Sequence, residues 1–286
     1  MMKRMIFLAV FSLLFMSPLH GHGDKDEHAG MDHTAHGEAA KSKASEPSIK
    51  LSVPKVEDKD DKKVVQIKLT KTKDDSPVPL DNLKEVHTQK IHLLIIDDSL
   101  EDYSHIHPKP TKEAGVYEFE WSPTKKNANY RVWADLFPLD TNVQEYAIAD
   151  LTTSQGSKAE INRTASMQSS VEGLTFKLTF DSPDLQAGKA TMGKIVITDD
   201  KGNPVKSLEP IMGSFAHIVG FGDDLKSVVH IHPMGTEPTK DTDRGGPELQ
   251  FHIEPEKAGF IKMFAQVKVN GKELFAPFGL VVNEPS

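Results

Sequence analysis

Short apolar runs broken by turn formers recur along most of this chain, with little helical periodicity. They fall at residues 49–53, 64–69, 92–96, 103–107, 117–121 and 130–136, separated by turn signatures such as Asp74-Asp75-Ser76-Pro77 and Asp97-Asp98-Ser99. Residues 152–170 are polar and small, without regular hydrophobic spacing, as an interdomain linker would be. The plan then repeats at 174–180, 193–198, 215–221, 228–232, 249–253, 260–267 and 275–282, with a turn signature across 198–204. This pattern predicts an all-β protein: two tandem immunoglobulin-like antiparallel β-sandwich domains at 48–152 and 171–286, joined by a linker at 153–170.

The repetition extends to particular side chains. His92, His105, His107 and Pro108 in the first half match His217, His230, His232 and Pro233 in the second, both as H-x12-H-x-H-P at an offset of 125 residues. Seven of the seventeen aligned positions are identical, which marks a duplicated domain carrying its imidazoles with it. The ends of the repeats match as well: residues 130–134 align with 261–265.

Composition sets the compartment. Lys3 and Arg4, an apolar run from Met5 to Met16 and then Ser17-Pro18-Leu19-His20-Gly21 predict a secretory signal peptide over 1–21, since a run of twelve apolar residues is too short to span a bilayer. Its removal takes the formal charge from −8 to −10. A mature chain of that charge repels nucleic acid and anionic lipid, so neither is an expected partner. With no cysteine anywhere, disulfides and thiolate metal sites are excluded. The expected destination is the periplasm or the outside, with no membrane attachment after processing. Residues 22–47 are low-complexity and rich in His, Gly, Ala and charged residues, and are expected to form a disordered tail.

Imidazole is the commonest metal ligand, and residues i and i+2 of a strand share a face, so His-x-His aims two nitrogens at one region. If Asp97 to Leu100 turn a hairpin, His92 falls opposite His105 with His107 one same-face step beyond. The same register sets His217 opposite His230, with His232 next. Directly opposed residues have Cβ atoms about 4.5 to 5.5 Å apart, which suits two ligands sharing one ion. A metal site in each half is therefore the leading expectation, against the plainer one that strand histidines and Met212 simply pack. His87 and Met212 occupy equivalent positions five residues before each trio and extend the candidate ligand set, as does His252, which aligns with Glu120; Met234 is a further thioether. In the tail, His28, Met31, His33 and His36, with His22 before them, form a His-rich tract whose methionine favours copper.

Met212-Gly213, Ala216-His217-Ile218-Val219, Asp224-Leu225, His230-Ile231-His232-Pro233, residues 251–264 and Ala276-Pro277-Phe278 resemble exported bacterial immunoglobulin-like proteins of the periplasmic copper-binding CopC and YtkA kind. The first half departs from that pattern with His87-Thr88 in place of Met-Gly. Met31-Asp32-His33 is similar to the Met and His repeats of exported copper-resistance proteins. The resemblance implies copper handling outside the cytoplasm by a non-enzymatic binder or chaperone, with metal ions as ligands and a copper transporter or cuproprotein acceptor as partner. Three alternatives stay open: a superoxide dismutase-like copper enzyme, a structural or adhesive module, and a zinc binder, since three imidazoles also fit tetrahedral zinc.

Overall fold

The structure, a computed structural model, describes residues 47–125, 127–152, 159–231 and 233–285, with the backbone alone at Thr152 and His230. The expected signal peptide, and the expected tail apart from Pro47, lie outside the described residues. Within them the chain is built from eighteen strands and a single 3-10 turn at Leu80–Asn82. No helix there is long and apolar enough to cross a membrane.

The first half contributes β1 (Ile49–Lys59), β2 (Lys62–Lys71), β3 (Ile91–Asp97), β4 (Tyr103–Ile106), β5 (Lys109–Pro110), β6 (Val116–Trp121), β7 (Tyr130–Leu136) and β8 (Glu145–Thr152). They form two sheets, ordered β1-β2-β6-β5 and β4-β3-β7-β8. Val65, Ile67, Leu69, Tyr117 and Phe119 of the first sheet close on Leu93, Ile95, Val132 and Ala134 of the second to make one core.

The second half contributes β9 (Gln168–Val171), β10 (Leu174–Phe180), β11 (Leu185–Gln186), β12 (Thr191–Thr198), β13 (His217–Gly222), β14 (Val228–Ile231), β15 (Pro233–Met234), β16 (Glu248–Ile253), β17 (Gly259–Val269) and β18 (Lys272–Asn283). Its sheets run β15-β16-β12-β10-β9 and β11-β18-β17-β13-β14. The sequence TMGKIVIT of β12 alternates buried and half-buried positions, as a strand with one covered face does. The core lies between the two sheets, around Phe176, Ile195, Phe251, Met263 and Phe278.

β3 behaves differently, with all seven residues of IHLLIID buried. A strand without alternation is covered on both faces. Leu93 and Ile95 point into the first core, while Leu94 and Ile96 enter a third cluster with Trp133 of β7 and Val219, Phe221, Phe260 and Phe264 of the second half. The two sandwiches therefore stack sheet on sheet, and residues 46–286 form one unit. Each large apolar side chain buried between them contributes about 1.5–3 kcal/mol. Arg131 also donates to the Leu225 carbonyl at 2.7 Å across this layer.

Part of the expected linker is structured. Gln168–Val171 is strand, pairing with β10, Ser166 bridges Gly279, and Ile161 is buried among the side chains between the sandwiches. One apolar anchor and a four-residue edge strand have no periodicity to read. Residues 153–158 lie outside the described residues.

Candidate metal centre between the two sandwiches

His92 continues the row of Leu94 and Ile96, on the face of β3 turned toward the second sandwich. β4 pairs with β3 so that His105 lies opposite Leu94 and Tyr103 opposite Ile96. The expected opposition of His92 and His105 is thus displaced by two positions. The cause is a wide loop: the Asp97 carboxylate accepts the backbone N–H groups of Glu101 at 2.7 Å and Asp102 at 2.8 Å, and Leu100 takes a positive φ of 63°. An even displacement keeps every side chain on its face. The second half shifts identically, with His230 opposite Val219. His107 follows the end of β4, where the chain crosses toward β5 in the other sheet.

Three imidazoles converge here. His92 Nδ1 lies 3.1 Å from His105 Nε2 and 3.1 Å from His107 Nε2, and one ring nitrogen from each lies within 4.8 Å of the others. Four-coordinate imidazole complexes with bonds near 2.0–2.1 Å place neighbouring nitrogens about 3.3 Å apart, so this spacing suits one ion. His92 is buried, at 4% exposure, and His105 and His107 are half-buried.

The outer nitrogens fix the protons. His92 Nε2 is 2.9 Å from the carbonyl oxygen of Val86, which only accepts, so a neutral His92 carries its proton there. His105 Nδ1 is 2.9 Å from Gln266 Oε1, while Gln266 Nε2 donates to Glu273 at 2.8 Å, so the amide turns its oxygen to His105. In these tautomers the inner nitrogens of His92 and His105 both carry lone pairs, 3.1 Å apart, and His107 Nε2 lies 3.1 Å from the same His92 nitrogen, so the three can converge on one cation.

The cluster continues across the interface. The His105 ring is 5.7 Å from that of His217, which is fully buried on β13, and His217 is 5.6 Å from His87. The rings of His107, His92, His105, His217 and His87 thus form one chain of contacts fed by both halves. His87 and Thr88 have φ of 50° and 67°, and Met212 and Gly213 have 49° and 76°. Bridges Val86↔Gln89 and Ile211↔Ser214 close the two turns alike, which is the geometry of a type I′ turn. A Cβ on Gly213 would lie 3.8 Å from Thr88 Cγ2, so these equivalent turns abut.

Asp135 sits opposite His92 on β7, buried, and accepts Gln144 Nε2 at 2.8 and 3.0 Å. Gln266 sits opposite His217 on β17 in the equivalent place. Sequence reasoning missed Asp135, Gln266 and Glu273. The available signal was that the aligned segments 130–134 and 261–265 are each followed at once by a polar residue, Asp135 and Gln266. Two steps from His105, Tyr103 is buried against Phe221, Phe264 and Phe275; burial first, and then the Asp135 charge, pushes its phenol well above the ordinary range.

Other candidates lie elsewhere. His252 is exposed on β16 opposite Met192, in the outer sheet, because Leu249, Phe251 and Ile253 take the core-facing parity of that strand. Its aligned mate Glu120 is bound to Lys62 at 2.8 Å on the surface. Met234 is 56% exposed on β15. His230 is placed by its backbone in β14, and His232, His22, His28, Met31, His33 and His36 lie outside the described residues.

The chain belongs to the family described as Domain of unknown function (DUF8832). The family model matches residues 43–151 and 169–284, one segment on each sandwich. No curated protein matches the chain. Among solved structures it is similar to MtrC from Shewanella baltica OS185, at 8% identity and a TM-score of 0.25 over 83% of this chain and 70% of that one. Escherichia coli alpha-2-macroglobulin activated by porcine elastase shows 14% identity and a TM-score of 0.24, over 83% of this chain and 20% of that one. The D00-D0 domain of Intimin shows 13% identity and a TM-score of 0.20, over 82% of this chain and 99% of that domain.

Proposed function

We propose that this member of the DUF8832 family is an exported transition-metal binder that takes up copper, holding the ion on His92, His105 and His107 and passing it to a transporter or a cuproprotein acceptor. The observation that carries the reading is the pair of inner nitrogens 3.1 Å apart whose rings are each anchored through the opposite nitrogen. Late first-row metals bind imidazole most tightly, copper above zinc. Met212 at the abutting turn and Met31 in the tail add soft donors to the chain. Zinc is the competing ion, because three imidazoles complete a tetrahedral site with one further ligand.

Binding is favoured over catalysis. The Nδ1 of His105 is taken up by Gln266, so this imidazole has no second nitrogen with which to bridge a pair of ions as a copper-zinc dismutase would require. The half-exposed His107 gives the ion a route from solvent and back to an acceptor. Export follows from the expected signal peptide, and the net charge of −10 after its removal suits a cationic cargo.

The test is metal content by plasma mass spectrometry, with Cu(I), Cu(II) and Zn(II) competition titrations on the mature chain, a His105→Ala/His107→Ala variant and a deletion of residues 22–46. Tight copper uptake that survives the deletion and disappears in the double variant is the expected result. Uptake of zinc alone transfers the site to that ion. Unchanged uptake in the double variant removes the site.

A further inference from the structure

One contact at the metal centre comes from outside the first sandwich. His92, His105 and His107 all belong to residues 91–107, yet the group that sets the tautomer of His105 is Gln266 on β17 of the second sandwich. Gln266 is itself 2% exposed, beside His105 and His217 at the edge of the apolar layer that holds Leu94, Trp133 and Phe264, and a primary amide is costly to bury unless every polar atom is bonded. Its oxygen faces His105 Nδ1 at 2.9 Å and its nitrogen reaches Glu273 of β18 at 2.8 Å. Glu273 is exposed and carboxylate oxygens only accept, so the amide is held one way round. Were it reversed, an N–H would face Nδ1, the His105 proton would move to Nε2, and the lone pair aimed at His92 would be lost.

We infer that Gln266, oriented by Glu273, is the positioning residue of the metal centre, so that ion binding by the first sandwich depends on docking of the second. The inference rests on the metal-binding reading above. Groups that orient a ligating imidazole through its second nitrogen typically change metal affinity by about 10- to 100-fold when removed. The dependence runs both ways: if docking of the second sandwich tightens the ion, the ion holds the second sandwich in place by the same factor. Asp135 stands in the equivalent place of the first half and is held by Gln144, so the two halves supply different groups at one position of the repeat.

The experiment uses the full mature chain with Cu(II), and Zn(II) in parallel, in competition titrations. It compares the wild type with Gln266→Leu, Glu273→Ala and the exchanged pair Gln266→Glu/Glu273→Gln. Affinity is expected to fall about 10- to 100-fold in Gln266→Leu and about threefold or more in Glu273→Ala. It is expected to return to within severalfold of wild type in the exchanged pair, where an acceptor oxygen again faces His105 and a donor faces it from position 273. Hydrogen exchange of β17 should slow when Cu(II) is added to the wild type and stay unchanged in Gln266→Leu.

Equal affinity in wild type and Gln266→Leu would overturn the inference while leaving the metal site standing. Failure of the exchanged pair to recover would overturn it as well, assigning the Gln266→Leu loss to packing. Glu273 is on the surface, so Glu273→Ala tests the relay without disturbing the core. If the wild type binds neither ion, the metal-binding reading falls first and this inference with it.

Discussion

Trp133 of the first sandwich donates its indole N–H to the backbone carbonyl of Lys226 in the second, at 3.2 Å, while its ring packs 5.3 Å from that of Phe221. This single fully buried side chain joins the layers by dispersion, burial and a hydrogen bond at once. Trp133→Ala is expected to cost about 3–5 kcal/mol. Urea denaturation followed by both far-ultraviolet circular dichroism and intrinsic fluorescence should then show the two sandwiches melting separately, whereas the wild type unfolds in one transition. A variant that still unfolds in one step with unchanged midpoint would show that the layer contributes little.

Tyr103 sits nearby under the same layer with its hydroxyl enclosed and without a hydrogen-bond partner among the described residues. A buried hydroxyl left unbonded carries a desolvation cost of about 1–3 kcal/mol. Tyr103→Phe should therefore match or exceed wild-type stability, by as much as about 1 kcal/mol after allowing for the altered ring contacts with Phe264 and Phe275. Thermal unfolding of the two proteins without added metal decides it, and a clear drop in the variant would mean that the hydroxyl is bonded in solution.

Binding to the folded state alone must appear as stability. At free copper about a hundredfold above the dissociation constant, the increment is about 2.7 kcal/mol, or roughly 5–10 °C in the midpoint for a unit of this size. His107 is half-buried and lies beyond the end of β4, so His107→Ala should melt like the metal-free wild type and gain little from copper. Differential scanning calorimetry with and without chelator measures both. A full copper increment in the variant would remove His107 from the ligand set.

Acid stability is expected to trace to two loop carboxylates. Burial raises the pKa of Asp97, but the backbone N–H of Asp102, the Ser99 hydroxyl, the Glu101 N–H and Lys125 together outweigh it, and the net direction is downward. Asp224, in the loop of the equivalent hairpin, is likewise pulled up by burial and more strongly down by the N–H and hydroxyl of Ser227, the N–H of Lys226 and the Lys257 charge, to about 2. A carboxyl depressed in the folded state contributes stability that is complete above its unfolded value, about 3.9, and is lost as pH falls through the folded value. Resistance to urea should fall from about pH 5 toward pH 2. Asp97→Asn should cost about 2 kcal/mol at pH 7 and flatten that fall. A variant with the wild-type slope would place the acid sensitivity elsewhere.

Much of this was legible in the residues. The all-β class followed from short runs and turn formers, and the spacing of His92, His105 and His107 marked one cluster before any geometry was known. The unbroken LLII of β3, residues 93–96, is the mark of a strand covered on both faces, but it does not say what covers the second one. That partner is Val219 and Phe221, separated by more than a hundred residues, and no local pattern encodes such a pairing. The register shift lies in the Asp97 loop, where a side chain caps three backbone N–H groups and widens the turn. His252 was placed by aligning across a loop, which ignored the parity of its own strand. β8, EYAIADLT, escaped notice because its mixed residues carry too little apolar contrast.

The stacking joins equivalent faces: Leu94, Ile96 and Trp133 on one side, Val219, Phe221 and Phe264 at the matching repeat positions on the other. Two copies of a half-length ancestor meeting through that face would have formed a symmetric dimer, with its completeness set by how many copies were present. Fusion into one chain removes that dependence. The second half stays at hand at any dilution, held at the high effective concentration that a short tether provides.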